Sequence, residues 1–226
     1  MTVLKKYGAV LFALILLCHC LFIWLEIHDL RVFTKLLLLP ILICYLFALS
    51  PSRPSLLVLC GLIFSFAGDL LLTRSGEMFF LSGMLAFMGT HVCNSLFFIQ
   101  LQKGHKGKET GALIAVITLS ALSTFMFCWL RPSLGSFQWP ILFYMLVIST
   151  MAVLATRTMN NPSVRWIAVN FIIPGAVLFV LSDAILAANK FSLHEPLADI
   201  IVMLTYGGAQ FYLVRGFARA GQLKLD

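Results

Sequence analysis

Two aspartates lie in stretches of this chain that are otherwise apolar enough to cross a bilayer: Asp69 within Phe64 to Arg74 (FSFAGDLLLTR) and Asp183 within Phe179 to Phe191 (FVLSDAILAANKF). An ionised carboxylate at the centre of a membrane helix costs roughly 2.5–3.5 kcal/mol even on lenient insertion scales, so each is a functional hypothesis by default. Each follows a small residue, Gly68 or Ser182, and precedes a short apolar run. We expect the two to meet in the folded protein. Two carboxyl groups in one low-dielectric cleft cannot both ionise easily, so they share a proton and supply one acid and one carboxylate.

The elements that must position them are membrane spans. Of 226 residues, 61% are hydrophobic and 11% charged, and the mean hydropathy is +0.99. A soluble domain carries about a quarter charged residues, so the composition predicts an all-α integral membrane protein. A span needs about 20 apolar residues. Eight candidates follow: Tyr7 to Leu25, Val32 to Leu49, Pro54 to Leu72, Met78 to Phe98, Gly111 to Leu130, Gln138 to Ala155, Trp166 to Ala188 and Leu197 to Phe217. They leave no room for a soluble domain, and residues 1–226 are expected to form one polytopic bundle. Pro51, Pro54, Arg131-Pro132, Asn161-Pro162 and Glu195-Pro196 punctuate the links. The basic start and the apolar run after it continue through Leu25 without a small-residue cleavage site, which favours a first span over a signal peptide.

Eight spans put both termini on one side. With the N-terminus inside, the inner basic residues are Lys5, Lys6, Arg53, Lys103, Lys106, Lys108, Arg157, Arg165, Arg215, Arg219 and Lys224, 11 of 16. Arg31, Lys35, Arg74, Arg131 and Lys190 remain outside. The positive-inside bias therefore predicts cytoplasmic termini, with both aspartates near the outer ends of the third and seventh helices. It also accounts for the net charge of +7 without nucleic acid, for which there is no folded basic surface. Lys103, His105, Lys106 and Lys108 read as an exposed loop against anionic lipid. The aspartates are 114 residues apart (183 minus 69), about half the chain, and each is on the third helix of a four-helix half. This suggests a possible 4+4 parallel repeat with the site between the halves.

Other polar residues inside the spans fall at helical spacing. Gly61, Ser65 and Gly68 give the third helix a small-residue face, which turns the neighbouring Asp69 into the bundle. Gly83, Phe87, His91 and Asn94 share a side of the fourth helix, and Asp199, Met203, Tyr206 and Gln210 form a stripe on the eighth. Lipid cannot satisfy such stripes, so they face a partner helix or a wet cavity. Lys35 lies at the aspartates' depth, placed either to snorkel or to pair with a carboxylate and bind a phosphate. Tyr144 on the sixth helix, with Asn170 and Pro174 on the seventh, are polar or kink features. The six cysteines all fall inside spans and read as small buried residues. There is no G-x-S-x-G elbow, no H-E-x-x-H zinc helix, no glycine-rich phosphate loop and too few buried histidines for a three-histidine metal site. Neither metal nor cofactor is expected, and the chemistry falls chiefly to carboxylates.

The run GAVLFVLSDAILAANKF, the third-helix FSFAGDLLL, Phe80, Gly83, Phe87 and His91 on the fourth helix, the Thr34-Lys35 pair and Tyr206-x-x-x-Gln210 together resemble the YhhN-type lysoplasmalogenase family over nearly the whole chain. The most specific part is S-D-x-x-L-A-x-x-K-F. The resemblance implies a multi-helix membrane enzyme that hydrolyses the vinyl ether bond of lysoplasmalogens, releasing a fatty aldehyde and a glycerophospho head group, with Asp69 and Asp183 matching the family's aspartates. Two positions depart from the pattern: Leu36 stands where a proline often follows the lysine, and Asn94 where an aromatic often lies three residues after the histidine.

The chemistry of the residues fits that implication. Protonation of a vinyl ether at carbon gives an oxocarbenium ion, water adds, and the hemiacetal collapses to aldehyde and alcohol. One aspartate would be the acid and the other would stabilise the cation and activate water, as the carboxylates of glycosidases do. Which does which stays open. Lys35 would hold the lipid phosphate, with His91, Asn94, Tyr144, Ser182, Tyr206 and Gln210 around the substrate. The resemblance makes a lysophospholipid the partner, in the bacterial inner membrane or, for a eukaryotic chain, the endoplasmic reticulum. The competing expectation is a lipid or small-solute transporter using the same buried charges; a third is a non-catalytic lipid-binding protein.

Overall fold

The computed structural model describes residues 2–50, 53–102, 104, 107 and 109–223. The expected loop residues Lys103, His105, Lys106 and Lys108, together with Pro51 and Lys224, lie outside the described residues. Helices α1 (Thr2–Trp24), α2 (His28–Leu49), α3 (Leu56–Leu72), α4 (Glu77–Gln102), α5 (Thr110–Leu130), α6 (Gln138–Arg157), α7 (Arg165–Leu193) and α8 (Pro196–Ala220) follow one another. All but α3 are long and apolar enough to cross a membrane, and α3 is a shorter apolar helix of 17 residues. The chain is an all-α, multi-pass membrane protein.

The first helix shows why lipid is the solvent. Phe12, Leu16, His19 and Ile23, at i, i+4, i+7 and i+11, are buried, while Val10, Leu14, Leu17 and Leu21, at the same spacing, are exposed. An apolar exposed stripe on a helix is stable only against hydrocarbon. The buried stripe packs on α2 and α8, with Phe12 stacked on Phe211 at 5.9 Å. A Cβ at Gly207 would stand 2.6 Å from Leu16 Cδ2, so the missing side chain is what admits α1 to α8.

The helices pack in two matching sets. α2 lies between α1 and α3, α3 pairs with α4, and α2 also touches α8. Correspondingly α6 lies against α5 and α7, α7 pairs with α8, and α6 also touches α4. Gly61 on α3 and Gly175 on α7 are separated by the same 114 residues (175 minus 61) as the aspartates. Each is where the partner helix comes close: a Cβ at Gly61 would be 3.3 Å from Asn94 Oδ1, and one at Gly175 2.8 Å from Leu213 Cγ. This is the packing that a 4+4 parallel arrangement predicts. It breaks at the outer helices, because α1 also packs on α8 while, among the described residues, α5 makes no comparable contact with α4.

Both described chain ends lie at one end of the bundle, where Gly8 meets Tyr45 and the Gln222 amide donates to the Leu49 carbonyl at 3.2 Å. At the other end Arg31 reaches Asp199 at 2.8 Å. The seventh helix departs from regular geometry twice, at the π segments Ala168–Ile172 and Asn189–Leu193. Pro174 cannot donate to Asn170, and the first π turn lies just before it, where the ladder is already broken. The second ends at His194 in the left-handed region, φ +58°, and the Asn189 side chain holds it by accepting from Glu195 N at 2.7 Å and donating to Asp199 at 2.9 Å.

Candidate active site

Asp69 is on the buried face of α3 and is 2% exposed. Tyr206, one turn before Gln210 on α8, donates to Asp69 Oδ2 at 2.7 Å, and Lys35 Nζ of α2 lies 3.6 Å from Oδ1. The tyrosine is held in turn. Gln210 Nε2 donates to Tyr206 Oη at 3.3 Å and to Ser65 Oγ at 2.9 Å. Thr90 gives its one proton to the Gly61 carbonyl at 3.1 Å, so Ser65 must donate to Thr90 Oγ1 at 3.0 Å. The proton order Gln210 to Ser65 to Thr90 to Gly61 is therefore set, and three helices are tied around one carboxylate.

Asp183 is built the same way from the other half. Tyr144 of α6 donates to Asp183 Oδ2 in a short hydrogen bond. His91 Nε2 of α4 lies 3.3 Å from the same oxygen and 3.0 Å from Tyr144 Oη. Since the tyrosine proton is committed to the carboxylate, Nε2–H is the donor in both contacts. Both bonds converge on Oδ2, and among the described residues none hydrogen-bonds Oδ1. Asp69 thus takes partners from α2 and α8 and Asp183 from α6 and α4, the two-set packing repeated at the level of side chains.

The two carboxylates share no direct hydrogen bond among the described residues. Between their networks stand aromatic rings, with Phe87 edge-on to Tyr206 at 5.7 Å and to Phe179 at 6.2 Å, and Phe179 4.7 Å from His91. A Cβ at Gly68 would meet the Phe87 ring at 2.7 Å, so the small residue before Asp69 is what lets this ring in.

At the end of the bundle opposite the described termini opens a cavity of about 450 Å³, lined by His19, Arg31, Lys35, Arg74, Lys190 and Asp199 among others. Leu72, Phe80 and Leu186 line both this cavity and a narrow apolar slot of about 40 Å³ that contains Tyr144 and Asp183. A second slot of about 50 Å³ continues past Tyr144 and Asp183 between α5, α6 and α7. Polar vestibule, carboxylate and apolar slot thus follow one another, the sequence of environments in an amphiphile with an anionic head.

Of the residues expected at the site, Asp69, Lys35, Tyr206 and Gln210 meet in one network and Asp183, His91 and Tyr144 in the other. Ser182 instead donates to the Val202 carbonyl at 3.1 Å and binds α7 to α8. Asn94 is buried one turn beyond His91 with its Oδ1 beside Gly61, and among the described residues its side chain hydrogen-bonds neither carboxylate. Sequence spacing marks Ser65 only as a small residue and does not single out Thr90 or His19. Their signal was available: each is a polar side chain on the buried face of an apolar span, which lipid cannot satisfy.

Fold and site define a polytopic membrane protein with two carboxylates on its spans, Asp69 buried and Asp183 part-buried, one on each four-helix half, under a basic vestibule. The family model described as the YhhN family matches residues 30–217, and the chain belongs to that family. The matched relatives include lysoplasmalogenase TMEM86A of Bos taurus, 29% identical over 77% of this chain and 73% of its own length. Lysoplasmalogenase TMEM86B of Mus musculus is 30% identical over 81% of this chain and 73% of its own. A lysoplasmalogenase of Mycobacterium tuberculosis is 25% identical over 70% of this chain and 58% of its own. No solved structure matches.

Proposed function

We propose that this protein is a hydrolase of the lysoplasmalogenase type, cleaving the vinyl ether bond of lysoplasmalogens to a fatty aldehyde and a glycerophospho head group. The observation that carries it is Asp183, set where a basic vestibule passes into an apolar slot, with Oδ2 fixed by Tyr144 and His91 and Oδ1 uncommitted. The head-group phosphate lies among Lys35, Arg74 and Lys190, and the alkenyl chain enters the slots.

In this reading Asp183 Oδ1 carries the proton and delivers it to the carbon β to the ether oxygen, leaving an oxocarbenium ion and a carboxylate. Asp69, charge-paired with Lys35, stays ionised and stabilises the cation across the aromatic rings. Water adds to the cation carbon, and its proton returns to a carboxylate. The hemiacetal then breaks its bond to the glycerol oxygen, giving aldehyde and alcohol, for a net consumption of one water. The separation of the two networks favours this division of labour over two carboxyls sharing one proton directly.

Orientation follows the basic residues: cytoplasmic termini and a vestibule on the outer leaflet. The direct test is to incubate the purified protein with a lysoplasmalogen and a matched acyl lysophospholipid and to identify products by mass spectrometry. Aldehyde from the first alone supports the proposal; fatty acid from the second makes the protein a lysophospholipase. The paired packing of the two halves is the one feature that favours a transporter, and lipid movement without bond cleavage would decide for it.

A further inference from the structure

The vestibule contains one polar group with no assigned work. His19 of α1 lines it, is 1% exposed, and has Nε2 buried without a hydrogen-bond partner among the described residues. An unsatisfied buried polar atom in a native fold demands a reason. Its other nitrogen is committed: Nδ1 lies 2.9 Å from Thr34 Oγ1. The threonine gives its single proton to backbone carbonyls, Leu30 O at 2.7 Å and Arg31 O at 3.2 Å. It can therefore only accept from the imidazole, and the proton is on Nδ1. Among the described residues no carboxylate hydrogen-bonds the ring, and a buried imidazolium without a counter-charge would be costly. His19 is then neutral, with a bare lone pair at Nε2.

A lone pair asks for a donor. Phosphate, the natural guest of Arg31, Lys35, Arg74 and Lys190, has none to give when ionised. An ammonium head group is a donor, but those same four cations line the cavity and repel it. What remains in a lysophospholipid is the free hydroxyl on the central glycerol carbon, between the phosphate arm and the ether arm. We propose that His19 Nε2 accepts a hydrogen bond from this sn-2 hydroxyl and so selects lyso lipids over those esterified at that carbon. The proposal rests on the lysoplasmalogen reading given above. A site built to bond a hydroxyl rejects the analogue without it, because its own buried group is left unpaired.

The test uses full-length protein in nanodiscs and two saturated ether lipids that cannot be cleaved: a 1-O-alkyl-lysoglycerophosphoethanolamine and its 2-deoxy analogue, identical but for the hydroxyl. Wild type should bind the hydroxylated lipid roughly 10- to 100-fold more tightly. His19→Phe should bring the two affinities within about twofold, and His19→Gln, whose carbonyl can accept, should restore part of the difference. Equal binding of both lipids by wild type overturns the proposal whether or not any variant folds, and so does a preference unchanged in His19→Phe. Aldehyde release from a lysoplasmalogen, measured on the same preparation, separates the two readings. Aldehyde without hydroxyl preference removes the role of His19 and leaves the reaction; hydroxyl preference without aldehyde removes the reaction and leaves a lyso-selective lipid site.

Discussion

Tyr144→Phe is the sharpest perturbation of the proposed acid. It deletes one hydroxyl and keeps the ring that packs edge-on against His91 at 5.5 Å. The lost bond is to the oxygen that gains negative charge as Oδ1 gives up its proton, and bonds to charged groups contribute about 1.5–3 kcal/mol. Since about 1.4 kcal/mol is tenfold in rate, kcat should fall roughly 10- to 150-fold. His91 Nε2 still holds Oδ2, so the carboxyl keeps one tether and activity should persist above that of Asp183→Asn. KM should barely move, because the hydroxyl touches the acid and not the head group. Interhelical hydrogen bonds in membranes contribute about 0.6–1.7 kcal/mol, which lowers Tm by only a few degrees. The assay is aldehyde release under saturating lysoplasmalogen, beside thermal unfolding in the same detergent. A kcat within twofold of wild type in a folded Tyr144→Phe protein would refute the role given to this network.

Lys35→Met strands Asp69 as a buried carboxylate and should cost roughly 3 kcal/mol or more of stability; adding Asp69→Asn should recover Tm but not activity, and a double variant no more stable than the single contradicts the ion pair. Gly68→Ala puts a Cβ on the Phe87 ring and should cost about 1–3 kcal/mol, read as a lower Tm together with lower kcat; unchanged values would mean the ring yields freely. A reporter that functions only in the cytoplasm, fused to the C-terminus, should be active, and its silence would reverse the assigned orientation.

Much of this was legible because lipid is an unforgiving solvent. A carboxylate at membrane depth must have a partner, so Asp69, Asp183 and Lys35 announced themselves, and the 3.6-residue spacing placed Tyr206 and Gln210 on one face. What periodicity cannot supply is which helix a face meets. Ser182 and Asp183 are neighbours on α7, yet one bonds the α8 backbone and the other reaches α6 and α4. Tyr144 gave a weak signal for the same reason: a lone polar residue in an apolar helix says that it has a partner, not who it is. The π turns were invisible because they add a residue to the helix without changing its composition, though Pro174 marked the neighbourhood of the first. The expectation that the two aspartates meet gives no place to the rings of Phe87 and Phe179: Phe87 shares the His91 face of the fourth helix, but spacing does not say that a ring stands between the two networks.

The brevity of α3 couples the site to the membrane around it. Seventeen residues rise about 25 Å, short of a hydrocarbon layer of roughly 30 Å, and the Thr73 and Arg74 that follow the helix line the vestibule. A short span is accommodated by local thinning of the bilayer and by flanking cations that reach for the interface. In the proposed mechanism, thinning of the bilayer beside the polar cavity lowers the depth to which a single-chain lipid must sink to bring its ether oxygen to Asp183. On that reading bilayer thickness becomes a determinant of access, with thinner membranes giving the substrate the shorter path.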